Sequence, residues 1–114
     1  MKQFSLPGLR DTTQAFCSYV FGKKTYRFVF TWCEEFVIVD MYFISDGENN
    51  YILHGYPLVP DSDLISRVKN DDVISGALFV KNKYGKDFDI TRNNFDSDFE
   101  LVYYDKAEIS VLGG

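Results

Sequence analysis

The sequence predicts a small, mainly β, single-domain protein, an antiparallel β-barrel or β-sandwich with at most one short helical turn. Three observations predict it. β-Branched and aromatic residues dominate the apolar runs, as strands prefer. Turn signals at Gly22–Lys24, Glu34–Glu35 and Ser45–Asn50 cut those runs to strand length. The chain has 114 residues, of which 46% are hydrophobic and 18% aromatic, which suits one core that needs no disulfide or metal.

Residues 1–13, beginning "MKQFSLPGLRD", are expected as an N-terminal arm of a domain spanning 1–114. The arm lacks the uninterrupted apolar segment of a secretory signal, so the protein is expected to stay in the cell that makes it. From Gln14 to Ile44 three strands follow one another. A two-residue loop at Glu34–Glu35 sets Trp32 opposite Val37, Phe30 opposite Val39, Phe28 opposite Met41 and Tyr26 opposite Phe43. All eight then share one face. The reverse face carries Arg27, Val29, Thr31 and Cys33 against Phe36, Ile38, Asp40 and Tyr42. Two glutamates are poor at positive φ, which argues for a longer loop.

After "SDGENN" comes a short strand "YILHG", and then the elbow Tyr56–Pro57–Leu58–Val59–Pro60. Pro57 and Pro60 fix their own φ and push Tyr56 and Val59 toward extended conformations, so this is a rigid corner. Either Leu58 and Val59 point outward to a partner, or they point inward and the prolines only turn the chain. "DSDLISRVK" suits one helical turn capped by Asp61 or Ser62. "GALFVKN" and Phe99–Asp105 complete about six strands, with "KYGKDFDITRNNFDSD" a turn-rich stretch between them.

Seventeen acidic and twelve basic residues give a net charge of −5. That charge repels phosphate backbones and removes the counterion-release contribution on which nucleic-acid affinity rests. The best apolar run, Phe36–Ile44, is too short to cross a bilayer and contains Asp40. Neither nucleic-acid binding nor membrane insertion is expected.

Residue chemistry points away from catalysis. Asp87, Asp89, Thr91, Asn93 and Asp98 match calcium-loop spacing, but Arg92 stands where the sharp turn needs glycine and Asp98 where a bidentate glutamate is needed, so a solvated acidic loop is expected. One histidine and two cysteines cannot fill a zinc site without carboxylates. Cys17 and Cys33 sit in strand patterns, away from cationic activators and out of register for a disulfide. Carboxylate pairs such as Asp61/Asp63, Asp71/Asp72 and Asp96/Asp98 fall in loops, and no nucleophile elbow, phosphate loop or dinucleotide fingerprint is present. No enzyme, cofactor or metal is therefore expected. Tyr42, Tyr51, Tyr56, Tyr84, Tyr103 and Tyr104 exceed what one small core needs, and tyrosine-rich surface is typical of protein interfaces.

The segments "LPGLRDTTQAF", "GKKTYRFVFTW", "FVIVDMYF", "GYPLVPDSDLI", "ISGALFVKN" and "FELVYYD", in this order, carry a resemblance over nearly the whole chain. The chain resembles the baseplate plug proteins, a family of small phage and prophage tail proteins typified by that of a contractile-tailed cyanophage. Pro57, Leu58, Val59, Pro60, Asp63, Leu64, Gly76, Leu78, Phe79, Val80, Leu101, Val102 and Tyr103 carry the match. Ser75–Gly76 stands where the family often has a glycine pair, and Phe95–Asp96 where it has leucine–glycine. The resemblance implies a non-enzymatic virion protein, made in the host cytoplasm. It would sit at the distal end of the tail tube, contact hub, tube and baseplate proteins, and close the channel. Self-association is compatible with that role. The alternative from another class is a small β-sandwich module binding a glycan or peptide through the spare tyrosines. The elbow residues Tyr56, Pro57, Leu58, Val59 and Pro60 are the candidate partner contact.

Overall fold

The computed structural model describes residues 1–65, 74–85 and 89–111. In chain order the elements are β1 (Lys2–Ser5), β2 (Gln14–Phe21), β3 (Lys24–Cys33), β4 (Phe36–Ser45), β5 (Glu48–Pro57), β6 (Ala77–Asn82), α1 (Phe95–Asp98), β7 (Phe99–Tyr104) and α2 (Lys106–Val111). They form two antiparallel sheets, β2-β3-β4-β5 and β1-β7-β6. The sheets do not close on themselves, so the barrel-or-sandwich alternative resolves to a sandwich.

The β3–β4 pairing follows the expected register throughout, from Cys33↔Phe36 to Tyr26↔Phe43. The loop between them is two residues long after all. Only Glu34 takes a positive φ, 56°, while the Glu35 N–H turns back to the Cys33 carbonyl. One strained glutamate is evidently tolerable where two consecutive ones would not be. The other two hairpins close through Gly22–Lys23 and Asp46–Gly47, all four residues at positive φ, which matches the right-handed twist of the flanking strands.

The core lies between the sheets. Phe21, Phe28, Phe30, Val37, Val39 and Met41 from the larger sheet meet Leu78, Phe99 and Leu101 from the smaller. Aromatic rings bridge the layers, Phe21 to Tyr103 at 4.5 Å, Phe4 to Tyr19 at 5.0 Å and Phe30 to Phe95 at 5.1 Å between centroids. Tyr103 and Tyr56, expected as surplus surface tyrosines, belong to this assembly instead: Tyr103 is buried and Tyr56 packs against the core. The reason is that β7 lays Phe99, Leu101 and Tyr103 on one inner face, so a second sheet absorbs rings that a single sheet leaves over. Burial also pushes the Tyr26 hydroxyl up to about 12, with Tyr103 adding to the effect.

Residues 2–5, within the stretch read as an N-terminal arm, pair with β7 from Lys2↔Tyr103 to Ser5↔Glu100. Leu6 and Leu9 follow into the core. The α2 helix has a reciprocal cap: Asp105 N–H donates to Glu108 and Glu108 N–H to Asp105, at 3.1 and 2.8 Å. The N-terminal ammonium also pairs with Glu108. Of the helical turn expected over 61–69, residues 61–65 are described and 66–69 lie outside the described residues. Within the described part, the Asp63 carboxylate accepts the N–H groups of Ile65 (2.9 Å) and Leu78 (3.0 Å).

Candidate functional site: a groove at the proline elbow

The elbow is where the chain leaves one sheet for the other. Pro57 ends β5 opposite Ile38, and the next residue, Leu58, donates its N–H to the Val37 carbonyl on β4 at 2.8 Å. Val59 then begins a turn closed by Ser62 N–H (3.2 Å), with Asp61 at φ 63°. Beyond it, Asp61 and Leu64 donate to Val80 and Leu78 on β6, at 3.0 and 2.8 Å. Two prolines suit this crossing: Pro57 holds the chain extended at the end of β5, Pro60 takes the second position of the turn, where its fixed φ fits, and no ladder hydrogen bond is required of either.

The two apolar residues between the prolines therefore divide. Leu58 is buried, 6% exposed, and joins the core, whereas Val59 is 56% exposed. Pro57 is also exposed, and Tyr56 and Pro60 are half-buried. The outward and inward alternatives are thus each true of one residue, as period-2 alternation dictates for an extended segment.

Val59 does not stand in isolation. Glu35 from the β3–β4 loop, Phe36 and Val37 from the start of β4, Leu58, Val59 and Pro60 from the elbow, and Asp89 and Ile90 from the loop before α1 line a groove of about 230 Å³. Phe36, 46% exposed, is its second open apolar side chain. Glu35 and Asp89 give its wall an acidic character. Sequence reasoning missed Phe36 and Ile90. Phe36 carries a signal, a large ring next to two glutamates on the reverse face of β4, but the pairing of Pro57 with Ile38 that draws the elbow alongside it does not follow from local pattern.

The other sequence candidates are dispersed. Of the calcium-spaced residues, Asp87 is outside the described set, and Asp89 uses its carbonyl to accept from the Asn94 amide. Asn94 and Thr91 cap each other at 2.7 and 3.2 Å. Among the described residues no three His, Cys, Asp or Glu side chains form a metal-holding group. His54 is on the outer face, 3.1 Å from Asp40, whose carboxylate also accepts the Gly55 N–H at 2.6 Å. These contacts fasten a bulge in β5 where His54 and Gly55 together face Asp40. Cys17 and Cys33 are free thiols. Burial raises the Cys17 thiol, which makes its reactive thiolate scarcer. Tyr42 is pushed up to about 12, chiefly by its hydrogen bond with Tyr51 and then by burial.

Fold and groove together define a class: a small two-sheet β-sandwich that presents an apolar, acid-lined groove on a stiff corner. The chain belongs to the family of the cyanophage baseplate Pam3 plug gp18, whose model matches residues 1–106. Membership assigns it a structural role in a phage tail baseplate, in association with other baseplate components. No curated protein matches the chain.

Proposed function

We propose that this chain is a virion structural protein that closes the distal end of the tail tube where hub and baseplate meet, and that it works by contact and not by catalysis. Its partners are tail hub, tube and baseplate proteins, with self-association a further means of assembly. Synthesis in the host cytoplasm precedes incorporation into the tail tip. The observation that carries the reading is the elbow groove. Its backbone is held by bonds to β4 and β6, so little conformational entropy is lost on docking, and Val59 and Phe36 supply apolar area. Glu35 and Asp89 favour a partner that inserts an apolar side chain flanked by lysine or arginine.

Val59→Asp tests it. Val59 is exposed, so the variant should keep its fold and melting temperature within a few degrees. Its incorporation into tails, measured by immunoblot of purified particles, should fall by about tenfold or more, as loss of a central apolar contact requires. Wild-type incorporation would remove the elbow from the contact surface.

The alternative of a glycan- or peptide-binding module would use Tyr42 and Tyr51. Their rings are tilted 44° to each other and their hydroxyls bond to one another at 2.9 Å, so they do not offer one flat stacking face.

A further inference from the structure

The four outer strands of the two sheets meet solvent on very different terms. β5 is interrupted by two register shifts against β4, ends in Pro57, and has its Gly55 N–H taken by Asp40. β6 is covered along its edge by the chain after the elbow, with Asp61, Asp63 and Leu64 all bonded to its backbone. β1 is only four residues long. These are the usual protections against unwanted strand addition.

β2 lacks them. Its eight residues, "QAFCSYVF", pair with β3 without a shift from Gln14↔Thr31 to Phe21↔Lys24, and contain no charge and no proline. A two-residue hairpin makes Phe21↔Lys24 a mutually bonded pair, so by alternation Tyr19, Cys17 and Ala15 bond to β3. The N–H and C=O groups of Phe16, Ser18 and Val20 therefore point away from β3, toward the open edge. Gln14, the next in that row, is the exception: the Thr12 hydroxyl donates to its carbonyl at 3.0 Å and accepts its N–H at 3.3 Å. Phe16 is 65% exposed and Val20 56%, apolar side chains standing on the outer face beside these backbone groups.

Charge identifies the occupant. From Gln14 to Cys33 the chain carries Lys23, Lys24 and Arg27 and not one acid, in a protein with net charge −5. Arg27 is exposed directly across from Ser18, whose short side chain does not screen it. Phe16, Cys17, Ser18 and Arg27 border a shallow concavity of about 380 Å³ on this edge. A second copy adding its own β2 here would set two cationic hairpins side by side, which disfavours self-pairing.

We propose that β2 is a strand-acceptor edge. An extended segment of a partner protein, alternating apolar and acidic residues, adds to Phe16–Val20, bonds through its backbone to Phe16, Ser18 and Val20, and sets a carboxylate against Arg27. The surface is read from the strand itself and holds whichever partner supplies the segment.

The test uses the full chain and two capped synthetic octapeptides, one alternating valine with glutamate and one alternating valine with lysine. The glutamate peptide should bind at least about tenfold more tightly than the lysine peptide, and Arg27→Glu should reverse that order. Hydrogen exchange of the Phe16, Ser18 and Val20 amides should slow by about tenfold or more in the complex. Ser18→Pro, which removes an outward N–H, should abolish binding. The glutamate peptide N-methylated at alternate residues should fail on the unaltered protein, which gives the same answer if that variant does not fold. Equal binding of both peptides, protection that appears elsewhere or not at all, or a dimer of the free protein sealed through β2 would overturn the proposal.

Discussion

Replacing Gly76 with alanine should destabilise the protein by at least about 3 kcal/mol, because two separate costs fall on one atom. Gly76 has a φ of 103°, which side chains of L-residues rarely adopt. An added Cβ would also lie 2.3 Å from the Tyr104 carbonyl oxygen and 3.0 Å from the Tyr103 hydroxyl. Neither neighbour can retreat cheaply. The carbonyl is backbone at the end of β7, and the hydroxyl is fixed by its bond to the Ser75 carbonyl at 2.8 Å. For a domain of this size the loss corresponds to a melting temperature lower by more than about 10 °C, measured by circular dichroism. Gly85→Ala is the control. Gly85 has a φ of 69° and nothing within 4 Å of an added Cβ, so that variant meets backbone strain without collision and should lose only about 1 kcal/mol. Equal melting temperatures for the two variants would contradict the close approach at Gly76.

Leu58→Asp should destabilise the protein severely, lowering its melting temperature by more than about 15 °C or unfolding it. The substitution removes a core side chain and sets a carboxylate among apolar neighbours, a combination costing upward of about 4 kcal/mol against a typical total stability of 5 to 15. Its neighbour gives the contrast, since Val59→Asp places the same charge one residue along, in solvent. Far-UV circular dichroism and size-exclusion elution of the two variants read the difference. A Leu58→Asp variant as stable as Val59→Asp would mean that the inward turn of the elbow is wrong, and with it the account of how the two sheets are joined.

Much of the larger sheet was legible in the sequence because its physics is local. Tyr26, Phe28, Phe30 and Trp32 fall at every second position, as do Val37, Val39, Met41 and Phe43 across a short loop, and a slip of one residue would set these two rows on opposite faces, so the pattern strongly specifies one register. The smaller sheet was less legible. β1 pairs with β7 across nearly the whole chain, and no local signal in Lys2–Ser5 foretells a partner at Tyr103. Tyr103 counts as surplus only for one sheet, and it is the second sheet that buries it. The α2 cap is different: Asp105 and Glu108 stand three apart in a readable helix-start pattern. At the elbow, the prolines made the corner legible. That Leu58 turns in and Val59 out, beside Phe36 and Ile90, depends on how β5 lies against β4, and two bulges in that pairing shift it in ways no periodicity encodes.

The claim that matters most is that this sandwich is built into the tip of a tail. Cryo-electron microscopy of purified particles, with and without the gene for this chain, tests it directly. Density matching two antiparallel sheets of four and three strands should appear at the distal end of the tube and vanish when the gene is removed. Identical tail tips in the two preparations, with the chain recovered only from the soluble lysate, would contradict the account.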